Sequence, residues 1–218
     1  MKYKLEWNYK LKGTSNVFFT SDWLTGELAL LTGEELTKSG RASDMVYYDE
    51  RGTSWTLKEL GKLLEEIEEE PHDIVVYFDG GYDKQEQLAG LGAVIYYKQG
   101  KKKYRLRANE LLHEIDDNNE AEYAAFYFCV NMLEEMGVRH MSCEFKGDSQ
   151  VVLNQLAGEW PCYEENLNRW LDRIEAKIKK LGLIPAYSPV GRNENKEADK
   201  LATQAIEGKN IHSKMQMI

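Results

Sequence analysis

The stretch Ile74-Val75-Val76-Tyr77-Phe78-Asp79-Gly80-Gly81 joins a continuous apolar run to an acid and two glycines. A short apolar run without alternation is typical of a strand that is covered on both faces of a sheet. We therefore predict a strand over residues 74–78, with Asp79 at its end and the Asp79 carboxylate at the carboxyl edge of the sheet. Ligands of α/β proteins commonly bind at this edge.

The chain after this strand continues with alternating strand and helix patterns. Strands are predicted at residues 90–97, 103–112, 141–146 and 184–187, and helices at 120–136, 150–156, 164–181 and 194–206. This order predicts an α/β fold, with a mixed five-stranded sheet flanked by helices. Residues 209–218 are expected to form a tail with little to pack against.

Residues 1–70 are predicted to form a separate, small α+β module. The pattern indicates strands at 2–11, 17–20 and 45–48 and helices at 26–39 and 57–69. Residues 1–72 contain nine basic and fourteen acidic side chains, and an acidic surface binds phosphate poorly. We expect this module to bind a protein partner or to stabilise the chain, with its tryptophans in the core: Trp7, Trp23 and Trp55.

The composition, 42% hydrophobic and 30% charged, is typical of a protein with a hydrophobic core. No run approaches the roughly 20 apolar residues that span a bilayer, and the first residues lack the apolar core of a secretory signal. A cytoplasmic protein without a membrane partner is therefore expected. The cysteines and histidines are few and scattered, which argues against a disulfide framework and a zinc site.

Four acids in separate segments are the candidate catalytic residues. Asp79 and Asp148 follow predicted strands, whereas Glu122 and Asp199 lie on predicted helices. Four carboxylates that converged from separate elements would repel one another unless cations lay between them. Hard divalent ions take oxygen ligands, so the set predicts a site for two Mg²⁺ or Mn²⁺ ions. Two such ions suit an in-line displacement at phosphorus.

These segments resemble the catalytic motifs of type 1 ribonuclease H, a domain also found in reverse transcriptases. The resemblance covers about residues 73–208, and its most specific pieces are Asn118-Asn119-x-x-Glu122, Asp148-Ser149-Gln150 and Asn195-Lys196-x-x-Asp199-x-Leu201-Ala202. It implies a ribonuclease H-like fold and a metal-dependent endonuclease that cuts the RNA strand of RNA/DNA hybrids. It also implies substrate contacts, partly to 2′-hydroxyls, from Gly80, Asn118, Asn119 and Gln150.

The chain departs from the family's pattern at three places. The loop before the fourth acid reads Val190-Gly191-Arg192-Asn193-Glu194 and lacks the His of many members. Arg192 is a candidate phosphate ligand there. Asp117 replaces a small hydroxyl residue in a phosphate pocket, and no basic protrusion follows the Gln150 helix. Two alternatives of the same fold stay open: a hybrid or nucleic-acid binding protein with little or no turnover, and a nuclease acting on another substrate. A non-enzymatic scaffold built on residues 1–70 is a third, weaker alternative.

Two further charged features are interpreted from position alone. A basic run from Lys98 to Arg107 lies across a predicted hairpin, either as a phosphate-facing ridge or as a solvated turn at a strand edge. Glu120 precedes Glu122 by two residues, and the family's spacing after the Asn pair points to Glu122. We interpret Glu120 as a charge at the start of a helix.

Overall fold

The computed structural model describes residues 1–11, 13 and 15–217 of the 218-residue chain. The chain divides into two compact units, Met1–Glu69 and Glu70–Ile218. Each unit has its own β-sheet and its own buried hydrophobic cluster. The candidate acids all belong to the second unit.

The first unit has an antiparallel sheet in the order β2-β1-β4-β5, and β3 also pairs with β1. Helix α2 begins at a reciprocal cap, in which Glu59 Oε2 accepts from the Thr56 N–H and Thr56 Oγ1 accepts from the Glu59 N–H. Its elements are β1 (Lys2–Tyr9), β2 (Val17–Thr20), β3 (Leu24–Thr25), α1 (Gly26–Lys38), β4 (Ala42–Asp49), β5 (Ser54–Trp55) and α2 (Leu57–Glu69).

The core of this unit is small. Gly33 lets α1 approach the sheet closely, because a Cβ at this position would lie 1.6 Å from the hydroxyl oxygen of Tyr47. Trp7 and Trp55 pack against the core as predicted, whereas the prediction for Trp23 is wrong, since its side chain is 47% exposed. The buried side chains come from the sheet and both helices: Tyr3, Leu5, Ala29, Tyr47 and Leu60.

The second unit has a mixed sheet in the order β10-β9-β6-β7-β8-β11. Strands β10, β9 and β6 are parallel, and the remaining pairs are antiparallel. Its elements are β6 (His72–Asp83), β7 (Leu88–Gln99), β8 (Lys102–His113), α3 (Asn118–Glu135), β9 (Ser142–Gly147), α4 (Gln150–Leu156), α5 (Glu165–Leu181), β10 (Ile184–Pro189), α6 (Arg192–Ile206) and β11 (His212–Met217).

Helices cover both faces of this sheet, so the predicted fold class is confirmed. Along β6, Phe78 packs on Phe126 of α3 with ring centroids 5.2 Å apart, while Tyr77 packs on the opposite side with the cluster that contains Ala198 of α6. Helix α6 approaches the sheet at Gly92, where a Cβ would lie 2.1 Å from the Ala198 oxygen. This close packing brings α6 beside the central strand.

The sheet has six strands rather than the predicted five, because the expected tail pairs with β8. Strand β11 runs antiparallel to β8 and all its side chains are exposed. Asn109 holds the start of this segment: its Nδ2 donates to the carbonyl oxygens of Leu201 and Lys209, and its Oδ1 accepts from the Ile211 N–H. The tail prediction is wrong because the free backbone edge of β8 pairs with this segment although the segment buries none of its side chains. Ile218 lies outside the described residues.

The helices are between 7 and 18 residues long. In the described part of the chain, none is long and apolar enough to cross a membrane. The predicted cytoplasmic location and the predicted protein-partner role of residues 1–70 stay predictions.

Candidate active site

Asp79 lies inside β6 rather than at its end, because the strand continues to Asp83. The antiparallel pairing with β7 persists here, with Asp79 opposite Gly92. The parallel pairing with β9 stops earlier, at Tyr77 opposite Lys146. The predicted strand end is therefore wrong, but Asp79 still lies beyond the carboxyl end of the parallel part of the sheet.

The glycine after Asp79 brings α3 against β6. A Cβ at Gly80 would lie 2.3 Å from the carbonyl carbon of Ala121, so a larger residue would push the helix away. Glu122 follows on this helix, and the Gly80 N–H donates to Glu122 Oε2 at 3.3 Å. The close approach thus places the carboxylates of Asp79 and Glu122 side by side.

Asp117 caps α3, which begins at Asn118 rather than at Glu120 as predicted. Its carboxylate accepts a hydrogen bond from the Glu120 N–H at 2.9 Å. Negative charge is favourable at a helix N-terminus, so Asp117 has a structural use at this position. The cap places Asn118 and Asn119 in the first turn of α3.

Asn195 links the two acids that come from the strands. Its side chain is 1% exposed, and its Nδ2 donates to the Phe78 oxygen at 2.9 Å, to Asp79 Oδ1 at 3.2 Å and to Asp148 Oδ1 at 3.4 Å. From the sequence, Asn195 was recognised only as part of a motif, with no predicted role of its own. Its position one helical turn before Asp199, on the same face of α6, was the available signal.

Three of the four predicted acids form one cluster. Ligand atoms of Asp79, Glu122 and Asp148 all lie within 4.8 Å of one another. Asp79 and Glu122 are only 8% and 7% exposed, and Asp148 follows β9 directly, as predicted. Asp199 lines the same cavity from α6 but is exposed and lies outside this group.

The cluster strongly disfavours the charged forms of its two buried acids. Burial, followed by the charges of Asp79 and Asp148, raises the pKa of Glu122 to about 9. Burial, followed by the charges of Asp148 and Asp199, raises the pKa of Asp79 to about 7. These carboxylates are stable as anions together only when positive charge lies among them.

The donor atoms fit a hard divalent cation. The cluster offers carboxylate oxygens alone, which Mg²⁺ and Mn²⁺ prefer over nitrogen or sulfur ligands. A cation placed among the acids would offset the burial and the mutual repulsion that together raise their pKa values. The arrangement therefore supports divalent metal binding.

The acids open into a cavity of about 420 Å³ with two cationic residues of α6 on its rim. The Nε of Arg192 lies 3.6 Å from Asp148 Oδ2, and the Arg192 side chain is 95% exposed. Lys196 follows one turn later. An exposed pair of this kind is weak, so the Arg192 guanidinium remains accessible to an anionic ligand.

The cavity includes some of the predicted substrate contacts and adds others. Gly80, Asn118 and Arg192 line it, whereas Asn119 and Gln150 are exposed at the starts of α3 and α4 and are not part of its lining. Three further lining residues were not predicted from the sequence, because only the packing of α6 on β6 brings them here: Gly81, Asn193 and Lys196.

The turn of the basic hairpin, at residues 98–103, lies at the far end of the sheet from the acids, whereas Arg107 pairs with Val94, two residues from the partner of Asp79. Lys98 pairs with His72 and Asp79 pairs with Gly92, so seven residues, or roughly 23 Å of strand, separate the two levels. Lys98 forms an ion pair with Asp73 at 2.6 Å. The turn of the hairpin therefore lies away from the acids, and the two interpretations of the basic run, a phosphate-facing ridge and a solvated strand edge, stay predictions.

Comparison with known proteins places this chain in a family. The model of the reverse transcriptase-like family matches residues 77–205, which is more than half of the chain. The uncharacterized protein YpeP of Bacillus subtilis is 47% identical over 214 residues, covering 98% of this chain and 94% of that protein. Ribonuclease HI of Halobacterium salinarum is 33% identical over 91 residues, covering 41% of this chain and 44% of that protein.

Solved structures show the same fold. RNase H1 from Halobacterium salinarum NRC-1 has a TM-score of 0.55 and 26% identity, with 62% of this chain and 98% of that chain covered. LC11-RNase H1, crystallised in complex with an RNA/DNA hybrid, has a TM-score of 0.53 and 25% identity, with the same coverage. The chain belongs to the reverse transcriptase-like family, and its second unit has the ribonuclease H fold.

Proposed function

We propose that this member of the reverse transcriptase-like family is a metal-dependent endonuclease that hydrolyses the RNA strand of RNA/DNA hybrids. The observation that carries the proposal is the cluster of Asp79, Glu122 and Asp148, whose ligand atoms lie within 4.8 Å of one another beside an open cavity. Its place in a ribonuclease H fold supports a nuclease, and the neighbour that was crystallised with an RNA/DNA hybrid supports this substrate class.

Four acids would hold the metal: Asp79, Glu122, Asp148 and Asp199. When bound, Mg²⁺ or Mn²⁺ ions would supply an acidified water and positive charge for the phosphate oxygens. Asp79 and Glu122 are held in place by burial, and Asn195 orients Asp79 and Asp148 through its Nδ2. The chain thus supplies fixed oxygen ligands, and it needs no side chain as a nucleophile.

Residues around the cavity supply the substrate contacts. The amide of Asn118 both donates and accepts hydrogen bonds, as does a ribose 2′-hydroxyl, which allows RNA to be distinguished from DNA. Arg192 and Lys196 attract the scissile phosphate to a chain whose net charge is −9. Gly80 allows close approach, and the exposed Asn119 and Gln150 contact the duplex outside the cavity.

A hybrid-binding protein with little or no turnover is the second candidate. One observation favours it: Arg192 places a cation 3.6 Å from a carboxylate oxygen of Asp148, where it competes with a metal ion. Asp117 at the start of α3 also repels phosphate. The weakness of exposed ion pairs and the presence of all four acids favour the enzyme.

The test is cleavage of an end-labelled RNA/DNA hybrid in Mg²⁺ and in Mn²⁺ by the wild-type chain and by Asp148→Asn. We expect cleavage of the RNA strand alone, with loss of about a thousandfold or more in Asp148→Asn, because a ligand is removed. Asp172→Asn makes the same chemical change at an exposed position of α5 and serves as the matched control. Competition with duplex DNA and duplex RNA tests the substrate class.

The possible results separate the candidates. Cleavage that Asp172→Asn retains and Asp148→Asn loses supports the enzyme. Hybrid binding without cleavage in either metal contradicts the enzyme and supports the binding protein. A further possible result is that duplex RNA or duplex DNA competes as strongly as unlabelled hybrid in the cleavage assay. That result would contradict hybrid specificity and support a nuclease for another substrate.

A further inference from the structure

Both carboxylate oxygens of Glu120 accept hydrogen bonds from residues outside α3. Its Oε2 accepts from the backbone N–H of Asp116 at 2.9 Å, and its Oε1 accepts from Nε1 of Trp170 at 2.9 Å. One partner belongs to the loop before α3 and the other to α5. A charge that acted only on the helix dipole would need neither partner, so the interpretation of Glu120 as a helix-start charge is incomplete.

The bond to Asp116 completes a cap around the first turn of α3. The Glu120 N–H donates to Asp117 Oδ1 at 2.9 Å, so backbone and side chain of Glu120 are both tied to the two residues that precede the helix. This reciprocal pattern is similar to a capping box. Asn118 lies within the turn and lines the cavity that contains the acids. The position of its amide therefore depends on the cap.

The bond to Trp170 ties this cap to a second helix. The Trp170 ring lies 5.8 Å from the ring of Tyr127 on α3, at an interplanar angle of 63°, and the Arg173 guanidinium lies 5.3 Å from the Trp170 ring centre. Helix α5 is itself anchored by buried Leu167, Leu171 and Ile174. The indole N–H thus comes from a side chain that packs against the core, and it holds the Glu120 oxygen that Asp116 does not use.

We propose that Glu120 and Trp170 form a brace that positions Asn118 for the substrate. The inference rests on the proposed function, since it concerns how the hybrid is held in that cavity. A turn that is fixed before binding loses less conformational entropy when the duplex docks. Glu120 and Trp170 are positioning residues, so loss of the brace weakens hybrid binding and spares the chemical step at the acids.

Trp170→Phe tests the brace most cleanly, because it removes the indole N–H and keeps an aromatic ring against Tyr127. The hybrid Kd is measured in an Asp148→Asn background, where cleavage is blocked, and KM and kcat are measured in the otherwise wild-type chain. We expect Kd and KM to rise about tenfold, the effect of one hydrogen bond to a charged group, while kcat changes by less than about twofold. Hydrogen exchange of the Asp116 amide should become faster.

Two comparisons make the test specific. Glu165→Ala removes an exposed glutamate of α5 that forms an ion pair with Arg169 of the same helix, and should leave Kd and KM unchanged. Adding Trp170→Phe to Glu120→Ala should have no further effect on Kd, because Glu120→Ala already removes the shared bond. Additive effects of the two substitutions would overturn the brace.

The outcomes distinguish the brace from the function on which it rests. A wild-type chain that cleaves hybrids, with unchanged Kd and KM in Trp170→Phe, overturns the brace alone. A rise in Kd in Glu120→Ala but not in Trp170→Phe also overturns it, because the cap to Asp116 would then act without α5. A wild-type chain that neither binds nor cuts hybrids overturns the proposed function and the brace together.

Discussion

Helix α3 carries two glutamates in opposite electrostatic surroundings, Glu122 near its start and Glu134 near its end. Glu134 forms ion pairs with Lys177 and, at 3.0 Å, with Lys180 of α5. Hydrogen bonds from these lysines lower the pKa of Glu134 to about 2. Burial and the charges of Asp79 and Asp148 raise the pKa of Glu122 to about 9.

The difference distinguishes an acid that stabilises the packing of two helices from an acid that is placed to bind a cation. Glu134 receives its cations from the chain itself, so its charge is compensated in the folded protein. Glu122 forms no ion pair with any described Lys or Arg, although it is far more buried. A buried carboxylate without a cationic partner destabilises the folded protein in its charged form, and a bound cation would compensate its charge.

The largest expected effect is on catalysis and contrasts the two glutamates directly. Glu122→Gln should lower kcat/KM for hybrid cleavage in Mg²⁺ by about a thousandfold, because it removes an anionic ligand. Glu134→Gln makes the same chemical change on the same helix and should retain activity within about twofold. Cleavage by Glu122→Gln at a rate close to that of Glu134→Gln would break the comparison.

The next expected effect is on the free energy of unfolding, which should depend on pH in opposite directions for the acids near the two ends of α3. The folded-state pKa values of Glu122 and Asp79 lie above their ordinary values of 4.5 and 3.8. Their stabilising contribution is therefore present below about pH 4 and is lost as the pH rises, through about 7 for Asp79 and about 9 for Glu122. Glu134 behaves oppositely, since its contribution is present above pH 4.5 and is lost as the pH falls toward about 2.

Urea unfolding between pH 5 and pH 9 in a metal chelator measures this effect. The free energy of unfolding should fall by about 1 kcal/mol per pH unit for each titrating acid, and Glu122→Gln should make the fall less steep. Saturating Mn²⁺ should also make it less steep, because bound metal stabilises the anions. The same slope in wild type and Glu122→Gln would contradict the raised pKa.

The sequence predicted the order of elements because buried strands and helices have distinct apolar periodicities, as in the run from Ile74 to Phe78. The predicted end of the strand before Gly80 and Gly81 was wrong. These glycines resemble a strand end, but they lie in a continuous strand that α3 and α6 approach closely. The prediction failed again at β11, where all side chains are exposed and pairing with the backbone edge of β8 forms the strand.

The candidate site was predictable where it rests on residue type and order, and not where it rests on tertiary hydrogen bonds. The four acids are recognised from their flanking motifs alone. The bond from Asn195 to Phe78 joins residues 117 positions apart, and that from Glu120 to Trp170 joins residues 50 positions apart. No local pattern contains such pairs, because the packing of helices on the sheet creates them.

Titration of Mn²⁺ binding, followed by the loss of the EPR signal of the free ion, tests most directly whether the uncompensated acids hold a cation. Wild type and Glu134→Gln should bind Mn²⁺ equally, and Asp79→Asn should weaken binding by about tenfold or more, since it removes a buried anionic ligand. Equal Mn²⁺ binding by wild type and Asp79→Asn would contradict the account, because the ion would then lie away from the cluster.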